Sequence, residues 1–431
     1  MNNLKSIKTM RMSKLSHVYR SAQNVCIRGC SISSRFLLSL YIAKFMGLGD
    51  IGRFGLVMGV VGFMPAIVGL GVNYFLSREI IDAPIPQAGR RIRDRLILTS
   101  IMCILSVIVF SVLYAENVVP EFGLPFKVIF IIVLEVFALD IHMCLIALRM
   151  PIFASVLLLV RSASWVFVFI GLSYYYVGLR SLSFLFDLWL VGLFVNYFVL
   201  FLRFYKWPWH DIMLRSVDVG WLRNVIVGGW LIFASDIAIA GSMNIDRFVV
   251  NFKEGITLTG IYMFFWSIAS SSQQLISSSI IQVALPRIVS AYRNSDELAW
   301  RNIMIQETAK VLFAGMLIAI VSFFLIKFLL PYIHRTELQK FLGLFAIMLL
   351  ASVIRMLSDV MNYGLYSRGE DKYFAMTNIL GTMISPFLTI AALARFGLNG
   401  VGVSMLLISI ALLSVRCLML TRLHFNFARE A

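Results

Sequence analysis

Within the long apolar runs of this 431-residue sequence the ionisable side chains are few, and their types and spacing define the chemistry open to it. Arg28 and Arg35 stand seven residues apart, a spacing that returns both to one helix face after two turns. A guanidinium presents a planar fork of donors that grips phosphate or carboxylate bidentately, so this pair reads as a cationic stripe suited to an anionic head group. Arg161 lies about nine residues inside its own run, too deep to snorkel to an interface. Arg355 and Asp359 have the i, i+4 spacing of an intrahelical ion pair. Glu135, Asp140 and His142 share one run, with Asp187, Asp236 and Arg416 in others.

Each such charge costs at least ~2.5 kcal/mol at mid-membrane, so it faces either a wet cavity or a partner. Both readings stand for each. Arg35 lines a cavity or pairs with a carboxylate of the run holding Glu135 and Asp140, and Arg28 lines the cavity or snorkels. Arg161 contacts a ligand or pairs with Glu135 or Asp140. Asp236 is a counter-ion to Arg35 or a protonatable group, and Asp140, Glu135 and Asp359 are further candidates for that role. Glu135 and His142, also seven apart, form a proton relay or a satisfied polar cluster.

The elements that must carry these residues are helices in a bilayer. Apolar residues make up 60% of the chain and charged residues 14%, with a mean hydropathy of +0.87, more apolar surface than a soluble core can hide. Runs long enough to span fall near 25–45, 54–76, 96–114, 128–148, 152–174 and 182–202, then near 224–245, 258–283, 311–330, 341–363, 373–394 and 400–420. The reading is an all-α integral membrane protein of about twelve helices, in two six-helix lobes related as parallel repeats. Nothing of domain size remains for a soluble module. The longest outer connections, AENVVPEFGLPFK and PYIHRTELQK, leave no room for a catalytic loop, so an enzyme is not expected. No phosphate-binding glycine loop, metal-spaced histidines or nucleophile elbow occurs, and no cofactor or metal is expected. The net charge of +16 is interleaved with apolar spans and forms no stripe, which argues against nucleic acid. Cys26, Cys30, Cys103, Cys144 and Cys417 lie in or beside apolar segments and read as small buried hydrophobes.

With the N-terminus inside, about 23 of the 38 Lys and Arg fall in inner segments and about 10 in outer ones, which places both termini in the cytoplasm. The expected organisation is a cytoplasmic arm at 1–24, an N-lobe at 25–204, an interfacial linker at 205–222, a C-lobe at 223–420 and a tail at 421–431. Two patterns recur across the linker. Gly47-x4-Gly52-x-Phe54 answers Gly255-x4-Gly260-x-Tyr262, and the segment 178–183 answers 397–402. The second helix carries Gly59, Gly62, Pro65, Gly69 and Gly71, with Pro65 and Gly62 the expected hinge.

Four stretches carry a family resemblance: YIAKFMGLGDIGRFGLVMGVVGFMPAIVGLGVNYFLSREI at 41–80; IDRFVVNFKEGITLTGIYMFFWSIAS, with Asp246, Arg247, Gly260 and Tyr262; Ala284-Leu285-Pro286; and 363–407. Their order and spacing resemble the multidrug/oligosaccharidyl-lipid/polysaccharide exporter superfamily and, within it, polysaccharide flippases of the O-antigen (Wzx) type. The resemblance implies a cavity between two lobes that opens alternately to either face. It also implies an undecaprenyl-pyrophosphate-linked oligosaccharide as substrate, a bacterial inner membrane, and a polysaccharide polymerase with chain-length machinery as partners. A cation-coupled drug exporter of the same fold is the alternative, and a membrane enzyme acting on lipid-linked sugars a second.

Overall fold

A computed structural model describes residues 27, 29–31, 33–81, 83–116, 124–294 and 296–430; the N-terminal arm, Cys26 and Arg28 lie outside them. The described chain is helical and contains no strand. The first half comprises α1 (33–45), α2 (Leu48–Gly69), α3 (Val72–Ile80), α4 (Ile85–Ala115) and α5 (Pro125–Ala147). It continues with α6 (Pro151–Leu159), a π turn at Val160–Ser164, α7 (Trp165–Tyr175) and α8 (Leu182–Phe204). Two short helices follow, α9 (Trp209–Met213) and α10 (Val219–Gly228). The second half comprises α11 (Trp230–Ile276), a second π turn at Ser277–Ile281, α12 (Gln282–Arg293) and α13 (Glu297–Ile333). It ends with α14 (Thr336–Lys340), α15 (Leu342–Ser367), α16 (Asp371–Phe396) and α17 (Asn399–Glu430).

Local chemistry sets many of the ends. Pro125 and Pro151 open α5 and α6 at positions where no backbone N–H is needed. Ser181, Asp218 and Asp296 each accept a backbone N–H of the first turn of α8, α10 and α13, contacts worth about 1 kcal/mol apiece. The exposed faces are apolar, as lipid contact demands: on α13 alone Phe313, Val321, Phe324 and Phe328 are more than half exposed.

Ten helices among the described residues are long and apolar enough to cross a bilayer, and one of them extends over 64 residues, Trp230–Arg293. That stretch is two spans. Gly255, at φ 82° and ψ 176°, interrupts the helix. On α2, positions 52 and 55 face Gly260 and Met263, ascending together, whereas 59 and 62 face Arg247 and Asn244, which descend. The segments either side of Gly255 therefore run antiparallel, and the chain reverses there as it does at Gly47. Counted as two, that stretch gives eleven candidate spans among the described residues, and α1 covers part of the first expected run.

Two boundaries differ from the sequence reading. The seventh span was expected from residue 224. Instead α10 is a separate helix whose Trp221 and Val225 pack into the N-lobe against Val72, Leu76, Ile80 and Leu98, and α11 starts beyond Gly229. Its apolar face is periodic like that of a span, but what it covers is the N-lobe. The second span was expected as one helix near 54–76, with Gly62 and Pro65 its hinge. The helix α2 passes through both and breaks at Leu70 and Gly71, which take left-handed φ values of 49° and 70°. Proline removes one hydrogen bond without ending a helix, whereas two consecutive left-handed residues must end it.

The linker is bolted to the N-lobe. Arg91 pairs with Glu79 (3.1 Å) and Asp218 (2.8 Å) and stacks on Trp221, whose Nε1 donates to Glu79 (2.7 Å). Arg93 pairs with Asp94 and donates to the carbonyls of Ile212, Arg215 and Ser216.

Candidate functional site

Each half carries buried polar networks among the described residues. In the N-lobe the π turn inserts an extra residue into the α6–α7 span and carries Arg161. Arg161 forms an ion pair with Glu135 of α5, both being nearly buried. Glu135 also accepts from Trp189 Nε1 (2.9 Å); Trp189 stacks on Trp165, and Trp165 Nε1 donates to the Arg161 carbonyl (2.9 Å). Of the two partners weighed for Arg161, Glu135 is the one used. Asp140 is instead held by Arg95 Nη2 (2.9 Å), Asn73 Nδ2 (2.9 Å) and Thr99 Oγ1 (2.6 Å). His142 borders the same narrow space as Arg161 and Asn196.

Arg35 differs from all of these. It projects from the side of α1 that also carries the buried Ser31, Ser39 and Ile42, yet its own side chain is exposed, so it faces open space inside the protein. It feels the charges of Glu135 and Arg161, but its guanidinium makes no hydrogen bond or ion pair among the described residues. Glu135 is already committed to Arg161 and Trp189, so Arg35, Arg161 and Glu135 together leave one net positive charge beside that space.

In the C-lobe Asp246 accepts at Oδ1 from Ser385 (3.1 Å) and Thr389 (3.2 Å). Arg355 donates to Ser242 (3.3 Å) and reaches Asp359 at 3.8 Å, as the i, i+4 spacing anticipated. Arg416, fully buried, donates to the Ser358 carbonyl (3.1 Å) and hydroxyl (2.8 Å) and to Asn378 Oδ1 (2.9 Å), and lies 3.6 Å from Asp359. A cavity of about 40 Å³ opens among Ser242, Asp246, Gln273, Arg355 and Ser385, room for a water-sized occupant. Asp236 is exposed and pairs with no cation among the described residues, so the expected Asp236–Arg35 counter-ion contact is not formed. It lies seven residues before Met243, which lines the C-lobe cavity, and shares its helix face.

The lobes meet along α2. Its glycines 52, 55, 59 and 62 form a ridge whose missing Cβ atoms would strike Ile256, Met263, Arg247 and Asn244. At the crossing, a Cβ on Gly260 would lie 1.8 Å from the Leu48 carbonyl oxygen, and one on Gly52 2.3 Å from that of Ile256. The two glycines matched by the sequence repeat are thus the two that touch. Tyr262 is buried beside them with its ring stacked over Trp266. Arg247 is buried and donates to the Gly55 carbonyl (3.1 Å) across the junction.

The serine run of the eighth span was not singled out from the sequence. Ser267, Ser270, Ser271, Ser272, Ser278 and Ser279 donate to carbonyls three or four residues back, and Ser271 and Ser272 line a space of about 170 Å³ shared with Ser33, Phe36 and Ser322. The signal was there: WSIASSSQQLISSSI is far too polar for a lipid-facing span.

No protein-family model matches the chain, and no curated protein matches it by sequence. Solved structures do match. An inward-facing multidrug resistance MATE family transporter of the MOP superfamily superposes with a TM-score of 0.74 at 13% identity, covering 94% of this chain and 99% of that one. A MATE in the straight conformation gives 0.62 at 15% identity, covering 96% of each chain. An outward-facing multidrug resistance MATE family transporter of the MOP superfamily gives 0.59 at 13% identity, again covering 96% of each. The chain has the all-helical fold of these MATE transporters.

Proposed function

We propose that this protein moves an anionic, lipid-linked oligosaccharide across a bacterial inner membrane by alternating access of its two lobes, with an undecaprenyl-pyrophosphate carrier as the part recognised by charge. The observation that supports this reading is the state of the deep arginines. Arg161, Arg355 and Arg416 each have a carboxylate within 4 Å, and Arg247 donates to carbonyl groups. Arg35 alone among these five is open and unpaired. An exposed guanidinium beside a net positive cluster attracts a pyrophosphate and repels a cationic drug, and in low dielectric that discrimination is strong. The neighbouring Ser-rich face of the eighth span supplies neutral hydroxyls of the kind that hydrogen-bond sugar.

Export of a cationic drug is the second reading, and one observation favours it. Asp236 is an exposed, unpaired carboxylate inside a span, on the face that also carries Met243. Under this reading Asp236 binds the cation or couples its movement to an ion gradient.

Complementation separates the two. In a strain lacking its own flippase, the first reading predicts restored surface polysaccharide, lost again in Arg35→Gln, with drug sensitivity unaltered by either protein. Drug resistance that depends on Asp236, with no polysaccharide restored by well-inserted protein, supports the second reading and overturns the first.

A further inference from the structure

We propose that Arg247 is a second anion-binding group, covered in this conformer by the Gly55 carbonyl and uncovered when the lobes part along the α2 ridge. The proposal rests on the reading of the protein as a carrier of an anionic lipid-linked substrate. A guanidinium taken out of water costs several kcal/mol unless it is paired and fully hydrogen-bonded, and Arg247 is neither. It is 5% exposed. Nη1 donates to Gly55 (3.1 Å), Nη2 to its own helix at Met243 (3.2 Å), and Nε has no acceptor. The adjacent Asp246 is engaged by Ser385 and Thr389, and no carboxylate lies within 4 Å of the Arg247 guanidinium among the described residues.

What Arg247 meets across the junction on α2 is glycine backbone. Its Cδ lies 2.5 Å from where a Gly59 Cβ would be, and its acceptor across the junction is a glycine carbonyl. A glycine ridge can withdraw without unthreading side chains, and two hydrogen bonds to neutral carbonyls are weaker than a bidentate contact to an anion. Withdrawal of α2 therefore leaves an unsatisfied cation facing the space between the lobes, and an anion can accept several of its donors together.

The depth fits a relay. Arg35 precedes the Gly47 turn by 12 residues and Arg247 precedes the Gly255 break by 8, or about 18 Å and about 12 Å of helix. Arg247 thus sits about one turn closer than Arg35 to the end at which Gly52 and Gly260 meet. An anionic group held at Arg35 meets Arg247 next as that end opens.

The test locks and releases the junction. The four native cysteines other than Cys26, together with Cys26, are replaced by alanine, and Gly62→Cys is combined with Asn244→Cys; a Cβ on Gly62 would lie 3.4 Å from Asn244 Cγ, close enough for a disulfide. Binding of labelled undecaprenyl pyrophosphate is measured in phosphatidylethanolamine/phosphatidylglycerol nanodiscs before and after reduction. Reduction is expected to tighten binding about tenfold, the worth of hydrogen bonds to a charged group, and Arg247→Gln is expected to abolish that gain. Arg247→Lys keeps the charge without the fork and is expected to show a smaller gain. A gain that survives Arg247→Gln intact, or survives Arg247→Lys intact should the Gln protein not insert, overturns the proposal, as does the absence of any gain with Arg247 present. Failure of either form to bind the probe sinks the proposed function as well. Binding that requires Arg35 but is indifferent to Arg247 in the released protein sinks this inference alone.

Discussion

Gly260→Ala probes the junction between the lobes most sharply. The added methyl would stand 1.8 Å from the Leu48 carbonyl oxygen and 2.6 Å from its carbon. A carbon–oxygen contact needs about 3.3 Å, so α2 and the segment after Gly255 must separate by about 1.5 Å. The obstacle is backbone, and no rotamer change relieves it. Overpacking of this kind costs about 1–3 kcal/mol, and because the cost falls only on the conformer with the crossing closed, it shifts the balance toward parted lobes by about 5- to 150-fold. Spin labels at Arg53→Cys and Phe252→Cys, both exposed near the crossing, report the separation by pulsed electron resonance in lipid nanodiscs. The expected result is a longer distance that becomes the major population, with the thermal midpoint little changed. An unchanged distance, whether the midpoint holds or falls, would refute the claim that this crossing is the movable contact between lobes.

Three further outcomes are expected. Glu135→Leu leaves Arg161 and Trp189 without an acceptor and should lower stability by about 3–5 kcal/mol, while Glu135→Leu with Arg161→Leu should recover most of that; equal losses in the single and double variants would contradict the pairing. Asp218 is held below the usual carboxylate range by the Trp221 N–H at the start of α10 and by Arg91. A depressed carboxylate stabilises above its unfolded value, so α10 should stay docked above about pH 4 and loosen as pH falls through the lower folded value; hydrogen exchange of residues 219–228 should show this, and Asp218→Asn should remove the pH dependence. Arg416→Leu strands the acceptors on Ser358 and Asn378 in a dry site and should cost about 1–3 kcal/mol in a thermal unfolding assay, more than the same change at the exposed Arg422.

Much of the architecture was legible because lipid imposes it. The apolar runs marked the spans, and Gly52 and Gly260, matched only as a repeat, turned out to touch, since a close backbone crossing tolerates no side chain at either position. Arg355 and Asp359 were readable because i, i+4 geometry is local. The charge partners across helices were not. Arg95 falls just outside the apolar run near 96–114, yet it is buried against Asp140, because its helix α4 starts ten residues earlier and carries it into the lobe. Of the two roles open to Asp236, counter-ion to Arg35 or protonatable group, the first needs a contact across helices that sequence spacing does not specify, and no ion pair between the two is formed among the described residues. The separation of α10 from α11 turns on Gly228 and Gly229, and a glycine pair in an apolar run reads equally as helix packing or as a break.

The central claim is that an unpaired Arg35 recognises the anionic carrier of a lipid-linked oligosaccharide. Its most direct test is translocation itself: purified protein in proteoliposomes carrying a labelled undecaprenyl-pyrophosphate oligosaccharide, with the label on the far leaflet scored by an added enzyme that cannot cross. The account predicts movement with the unaltered protein, at least tenfold slower movement with Arg35→Gln, and partial recovery with Arg35→Lys. Equal rates for Arg35 and Arg35→Gln, in protein shown to be inserted and folded, would contradict it.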